Sequence, residues 1–144
     1  MFTVSCVEDM RCSPLAAFGY AGDYANDSAW RRGVLSMAYE SGGPVAPGAR
    51  TREIFRVMGL RTVILAEVTD YTPGRTAFRT VSGPVRCDGS REFCAGPLGT
   101  RFTYTLNVRD TGPFRPLEPL ISFLLARQVP ADLRRLKLRL EAGL

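Results

Sequence analysis

The sequence predicts an α+β fold in which a seven-stranded antiparallel sheet is closed over by one long C-terminal helix, with two short helices after the first strand. Three observations carry that expectation. Short alternating runs between residues 33 and 109 are separated by glycine- and proline-containing turns, the texture of a strand meander. Residues 116–142 are the only stretch long and periodic enough for a long helix. Between residues 2 and 30, a further alternating run precedes a capped helix start and a second short helical stretch.

Residues 2–9 alternate apolar and polar and read as the first strand. Ser13-Pro14 supplies an N-cap with proline at the first helical position, where a missing N–H costs nothing, so residues 15–20 form a short helix. Residues 23–30 form a second, with Asp27 and Ser28 as polar boundaries. Strands follow at 33–40, 50–58, 60–71, 75–82, 85–95 and 100–109, joined by the loop 41–48, Gly59, Pro73-Gly74, Gly83-Pro84 and residues 96–99. Pro73-Gly74 suits the two central positions of a type II turn. Asp88-Gly89 interrupts its strand as either a tight hairpin or a bulge.

In the tail, Leu117, Leu120, Ile121, Phe123, Leu124 and Leu125 make the first half apolar on nearly every side, which calls for burial. Residues 132–140 are amphipathic, with a basic side opposite one apolar stripe. On an ideal helical wheel the stripe through Leu117, Leu120, Ile121 and Leu124 lies about 150° from that through Val129, Leu133, Leu136 and Leu140. Pro130 sits at the changeover, and a mid-helix proline removes a hydrogen bond and crowds the preceding turn. A kink or break between Ala126 and Pro130 is therefore expected, turning both stripes to the sheet.

A sheet with one covered face shows two parities. In residues 50–58, Arg50, Arg52, Ile54 and Arg56 oppose Thr51, Glu53, Phe55 and Val57. In residues 100–109, Arg101, Thr103, Thr105, Asn107 and Arg109 oppose Phe102, Tyr104, Leu106 and Val108. Arg75 and Arg79 likewise oppose Thr76, Phe78, Thr80 and Ser82. One face is arginine-rich and solvated; the other is apolar with sparse hydroxyls.

The 144 residues suit one domain, and the net charge of +5 is carried by arginine, since Lys137 is the only lysine. The arginine, alanine, glycine and proline richness fits a GC-rich bacterial genome. The arginines are spread along strands rather than clustered, so nucleic acid is not the expected partner. No apolar run reaches the ~20 residues of a membrane span, and residues 1–9 lack the pattern of a signal peptide, so a cytoplasmic address without membrane insertion is expected. Cys6, Cys12, Cys87 and Cys94 form no CxxC, and the chain has no histidine. Four reduced thiols, no metal and no cofactor are expected. Without histidine there is no Ser-His-Asp or Cys-His system, and no GxGxxG or P-loop string is present. Glu8, Asp9, Asp23, Asp27, Asp70 and Asp88 fall at strand ends or loops and read as solvated.

Gly48-Ala49-Arg50, Val68-Thr69-Asp70-Tyr71-Thr72-Pro73-Gly74-Arg75, Gly83-Pro84, Gly99-Thr100-Arg101-Phe102-Thr103-Tyr104 and Asp132-Leu133-Arg134-Arg135-Leu136-Lys137 occur in that order. Together they resemble the polyketide cyclase/dehydrase branch of the START-like (Bet v 1-like, SRPBCC) superfamily. Trp30 also sits where such proteins often carry a tryptophan. The resemblance implies one START-like domain over residues 1–144 with a helix-grip fold, a curved sheet wrapped around the C-terminal helix with a cavity between. It further implies a hydrophobic ligand: relatives bind lipids, sterols, polyketides or hormones, and some close aromatic rings. The fold does not choose among these.

With such a cavity, strand parity and the helix nominate Phe55, Phe78, Thr80, Phe102, Tyr104 and Phe123 as ligand contacts, joined by the amphipathic rings of Trp30 and Tyr39. Glu53 shares the inner parity, where a carboxylate is costly unless paired. It is the candidate general base for an enolisable polyketide, with Arg127 reaching in from the helix to stabilise the enolate; the alternative is a Glu53 paired with an arginine at the cavity mouth. The leading expectation is a binding protein, monomeric or homodimeric, for a hydrophobic or polyketide-like molecule. A polyketide cyclase or aromatase, a sequestration or resistance protein for a reactive natural product, and an interaction module using the arginine face are the alternatives.

Overall fold

In the computed structural model, which describes residues 1–143, seven antiparallel strands form one sheet. They are β1 (Phe2–Met10), β2 (Val34–Tyr39), β3 (Arg50–Val57), β4 (Leu60–Thr72), β5 (Arg75–Ser82), β6 (Arg86–Gly96) and β7 (Gly99–Asp110). Across the sheet they run β1-β7-β6-β5-β4-β3-β2, so β2 to β7 are a meander and β1 returns to pair with β7. Helix α1 (Pro14–Ala21), a 3-10 turn (Tyr24–Asn26) and α2 (Asp27–Trp30) connect the two edge strands. A second 3-10 turn (Gly112–Leu117) leads into α3 (Glu118–Glu141), which the curved sheet grips. The α+β, helix-grip architecture expected from the sequence is the one observed.

Local chemistry explains the boundaries. Ser13 Oγ accepts a hydrogen bond from the Ala16 amide at 3.1 Å and Pro14 opens α1. Gly74 has φ of +80°, the left-handed conformation a type II turn requires at its second central residue. Asp88-Gly89 makes neither a hairpin nor a bulge: β6 passes through it, and the register shifts instead between Arg86 and Cys87. Gly89 is needed for close approach, because a Cβ there would lie 2.8 Å from the Phe78 ring and 2.6 Å from the Thr105 carbonyl oxygen. Further register shifts between β4 and β5, at Leu65/Ala66 and Val68/Asp70, add twist that helps the sheet curl.

The core fills one end of the curl. Met10, Phe93, Phe102, Val108, Leu133, Leu136 and Leu140 pack there with Trp30, and the rings of Phe93 and Phe102 stack 4.4 Å apart. On the outer face, Arg101 pairs with Asp9, Arg109 with Asp88, Arg79 with Glu67, and Arg75 with Asp70 and Glu92. The arginine face is thus interleaved with its own carboxylates, each exposed pair worth little but removing the cross-strand repulsion that arginines alone would create.

The long helix departs from expectation. It runs without a break from Glu118 to Glu141, through Pro130. The first apolar stripe is not packed onto the sheet: Ile121 is buried, but Leu117 is 41%, Leu120 44% and Leu124 42% exposed. Burial of both stripes was the premise for a break, and only the second stripe, Val129, Leu133, Leu136 and Leu140, is buried.

Candidate functional site

Beyond the packed core, the sheet and the first half of α3 separate around a cavity of ≈ 140 Å³. Its wall is largely apolar: Phe55, Ile64, Ala66, Phe78, Leu106 and Val108 from the strands, and Ile121, Leu124, Leu125, Val129 and Leu133 from α3. Strand alternation places these side chains, since residues two apart on β3, β4, β5 and β7 face the same side. Among the nominated contacts, Trp30, Phe55, Phe78, Thr80 and Tyr104 line this cavity, together with Glu53.

The other four lie elsewhere. Phe102 is consumed by the core, stacked on Phe93 and edge-on to Trp30. Tyr39 sits on edge strand β2, where its hydroxyl donates to Asp23 Oδ1 at 2.7 Å and accepts from the Tyr24 amide at 3.0 Å, fastening the 3-10 turn to the sheet. Phe123 and Arg127 are exposed on α3, with the guanidinium carbon 5.7 Å from the centroid of the Phe123 ring. They cover one another, one turn apart, instead of reaching inward.

The partner of Glu53 is Arg31, not Arg127. Arg31 Nη1 donates to Glu53 Oε1 and to Asp27 Oδ2, both at 2.9 Å. Asp27 in turn accepts from Arg91 through both oxygens, Oδ1 from Nη1 at 2.8 Å and Oδ2 from Nη2 at 2.6 Å. Arg91, Asp27, Arg31 and Glu53 therefore form one chain of alternating charge. Asp27 is fully buried and Arg91 is 1% exposed. The sequence pattern reads Asp27 as a solvated boundary of α2; it is instead the buried hub, because α2 lays its first residue against the inner face of β6. Arg91 also donates to the Ala21 carbonyl and lies 4.4 Å from the Tyr24 ring and 5.2 Å from the Trp30 ring. A guanidinium can be buried this way because aromatic faces and carboxylates together replace its water.

The same surroundings shift several groups. Burial opposes the charge on Arg31, but the Glu53 carboxylate beside it, with Asp27, raises its pKa well above the ordinary arginine value. Arg91 is raised in the same way, Asp27 overcoming the cost of burial. Desolvation raises the Tyr104 and Tyr24 phenols despite the nearby arginines, and Tyr24 Oη shares a 3.0 Å hydrogen bond with Thr76 Oγ1. Burial pushes the Cys87 thiol up to about 12, with the Glu53 charge adding to the effect. On α3, desolvation raises Asp132, opposed by the Arg32 amide and by Arg135.

Arg31, Asp27 and Arg91 are not among the residues nominated from sequence. Arg91 carried a signal, since it shares its parity on β6 with Cys87, Gly89 and Phe93. Asp27 and Arg31 stand four apart, the spacing of a helical ion pair. Among the described residues, no group of histidine, cysteine, aspartate and glutamate side chains is placed to hold a metal ion, and no helix is long and apolar enough to cross a membrane. The four cysteines are free thiols.

Residues 1–141 match the sequence profile of the family described as polyketide cyclase/dehydrase and lipid transport. No curated protein matches the sequence. Among solved structures, a protein from Thermus thermophilus superposes with a TM-score of 0.83 at 23% identity, covering 99% of this chain and 100% of the other. The ZhuI aromatase/cyclase from Streptomyces sp. R1128 gives 0.75 at 14% identity, over 94% of this chain and 90% of the other. A START superfamily protein from Mycobacterium smegmatis gives 0.65 at 16%, over 97% and 94%. At these identities the likeness establishes the fold.

Proposed function

Because the chain belongs to the polyketide cyclase/dehydrase and lipid transport family, within the START-like superfamily, we propose that it binds a small hydrophobic or polyketide-like molecule between the sheet and α3. The observation that carries this reading is the cavity itself: an apolar wall of strand and helix side chains interrupted by a few polar groups, the general character of a small-molecule site. Its ≈ 140 Å³ is close to the ~150 Å³ of an apolar cavity that admits benzene. The enclosed part therefore suits about one ring, and the rest of a larger ligand extends towards Met58 and Leu124, which line the cavity and are also exposed.

Binding without turnover is favoured over cyclisation. Cyclisation by the scheme nominated from sequence needs Arg127 beside Glu53 to hold an enolate; Arg127 is exposed on α3, and the arginine that does meet Glu53, Arg31, is already shared between two carboxylates. Native mass spectrometry of freshly purified protein tests the proposal by asking whether a small molecule co-purifies. Trp30, the one tryptophan of the chain, lines the cavity and reports added ligands by fluorescence. Phe78→Trp, which enlarges a side chain in the cavity wall, should abolish co-purification, whereas Arg101→Ala on the outer face should leave both signals intact. Co-purification that survives Phe78→Trp unchanged refutes the site.

A further inference from the structure

The charged chain inside the cavity restricts what the ligand can be. Its two guanidinium groups and two carboxylates cancel, so the wall presents no net charge from this source. The inner half is almost wholly buried: Asp27 is 0% and Arg91 1% exposed, although Arg91 also contributes to the cavity wall. The outer half is not: the side chains of Arg31 and Glu53 are 15% and 11% exposed, and both line the cavity. Their contact uses Arg31 Nη1 and Glu53 Oε1, leaving Nε and Nη2 as donors and Oε2 as an acceptor outside the pair. The Phe55 ring centroid is 5.8 Å from the Arg31 guanidinium carbon, and Tyr104, Cys87, Ile64 and Leu106 belong to the same, largely apolar wall.

Resting on the cavity-binding reading above, we infer that the ligand carries an uncharged hydroxyl, phenol or enol that meets the Arg31–Glu53 pair, its oxygen accepting from Arg31 and its O–H donating to Glu53. A carboxylate or phosphate would approach Arg31 in competition with two carboxylates already bound there and would meet the Glu53 charge beside it. An ammonium group would meet Arg31 in the same way. In a largely apolar enclosure such like-charge encounters are poorly screened. A pure hydrocarbon covers the pair while replacing none of the water it displaces. A neutral group that both donates and accepts incurs neither penalty. Of the other charged residues in the wall, Asp132 is already held by Arg135 and the Arg32 amide, and Arg56 is exposed, so it attracts anions from solvent without changing the balance at the enclosed pair.

The test is an NMR titration of the intact protein near pH 7 with single-ring probes sized to the cavity: p-cresol, 4-methylanisole, toluene, 4-methylbenzoate and 4-methylbenzylamine. p-Cresol should bind at least tenfold more tightly than toluene, about 1.4 kcal/mol, and tenfold more tightly than either charged probe. 4-Methylanisole, which accepts but cannot donate, should fall between p-cresol and toluene. Glu53→Gln leaves Arg31 in excess and should shift the preference to 4-methylbenzoate. If toluene or 4-methylbenzoate equals p-cresol on the wild-type protein, the inference is overturned while the cavity reading stands. If no probe shifts cavity resonances, the cavity reading itself falls. The wild-type series decides the matter even if Glu53→Gln does not fold.

Discussion

Asp27→Asn is the sharpest test of how the interior is held. The substitution preserves shape and removes one charge. In the wild-type protein Asp27 is fully buried and compensates Arg91, itself 1% exposed, while also sharing Arg31 with Glu53. Asparagine keeps an acceptor and loses the charge, leaving Arg91 as a buried guanidinium with no carboxylate. Breaking a buried pair from one side costs about 3–5 kcal/mol, because the remaining charge stays desolvated. That is a large share of the roughly 5–15 kcal/mol total for a typical domain. Thermal unfolding should fall by on the order of 10–20 °C, with a matching shift of the urea midpoint at unchanged slope. Asp27→Leu combined with Arg91→Met removes both charges, leaves Arg31 with Glu53, and should recover most of the loss, to within about 1–2 kcal/mol of wild type. An Asp27→Asn protein within about 1 kcal/mol of wild type would refute the hub assignment. A double variant as unstable as the single would show that shape, not charge compensation, sets the cost.

Thiol titration of denatured protein without reductant should return four groups, and two would reveal a disulfide. In the folded protein at about pH 8, exposed Cys94 should react first and Cys87, whose thiol is raised to about 12, should react last; equal rates would contradict the burial of Cys87. Gly89→Ala should lower stability by about 1–3 kcal/mol, since the added methyl meets the Phe78 ring and the Thr105 carbonyl, and an unmoved urea midpoint would count against that packing. The hydrogen bond from Arg109, with that from Asn107, lowers the Asp88 pKa below its ordinary value. The stabilisation is present above about pH 4 and is lost as pH falls through the folded value, so Asp88→Asn should flatten the acid limb of stability by at most about 1 kcal/mol. An unaltered acid limb would show that the pair is too well solvated to matter.

Much of the fold was legible because strand parity and turn chemistry act locally. Ser13-Pro14, Pro73-Gly74 and the alternation along β3 and β7 each state their conformation within a few residues. Parity also puts Glu53, Phe55, Phe78, Thr80 and Tyr104 on the covered face, and all five line the cavity. It cannot separate the packed end of the sheet from the open end, which is why Phe102 is nominated beside Tyr104 although it belongs to the core. Periodicity along α3 marks its apolar residues but not whether anything covers them, so Phe123 reads as inward-facing and lies exposed in the fold. Least legible is Asp27. Its burial depends on an arginine 64 residues away on β6, and no local pattern contains that pairing.

The uninterrupted passage of α3 through Pro130 makes the two halves of the helix unequal in local stability. Proline has no amide hydrogen, so the Ala126 carbonyl lacks its intrahelical donor, and one rung is missing where the halves meet. On the C-terminal side, Val129, Leu133, Leu136 and Leu140 fix the helix to the core; on the N-terminal side, Ile121 alone is buried. The segment roofing the cavity can therefore open without disturbing the segment that holds the protein together. Hydrogen exchange would display this as a step: amides from about residue 122 to 126 exchanging at low cost in free energy, and those beyond about residue 132 only as the whole domain unfolds. On the proposed function, admission of a ligand would be uncoupled from global stability, and a substitution that loosens the first half should speed exchange and the release of a bound probe while leaving the melting temperature nearly where it was.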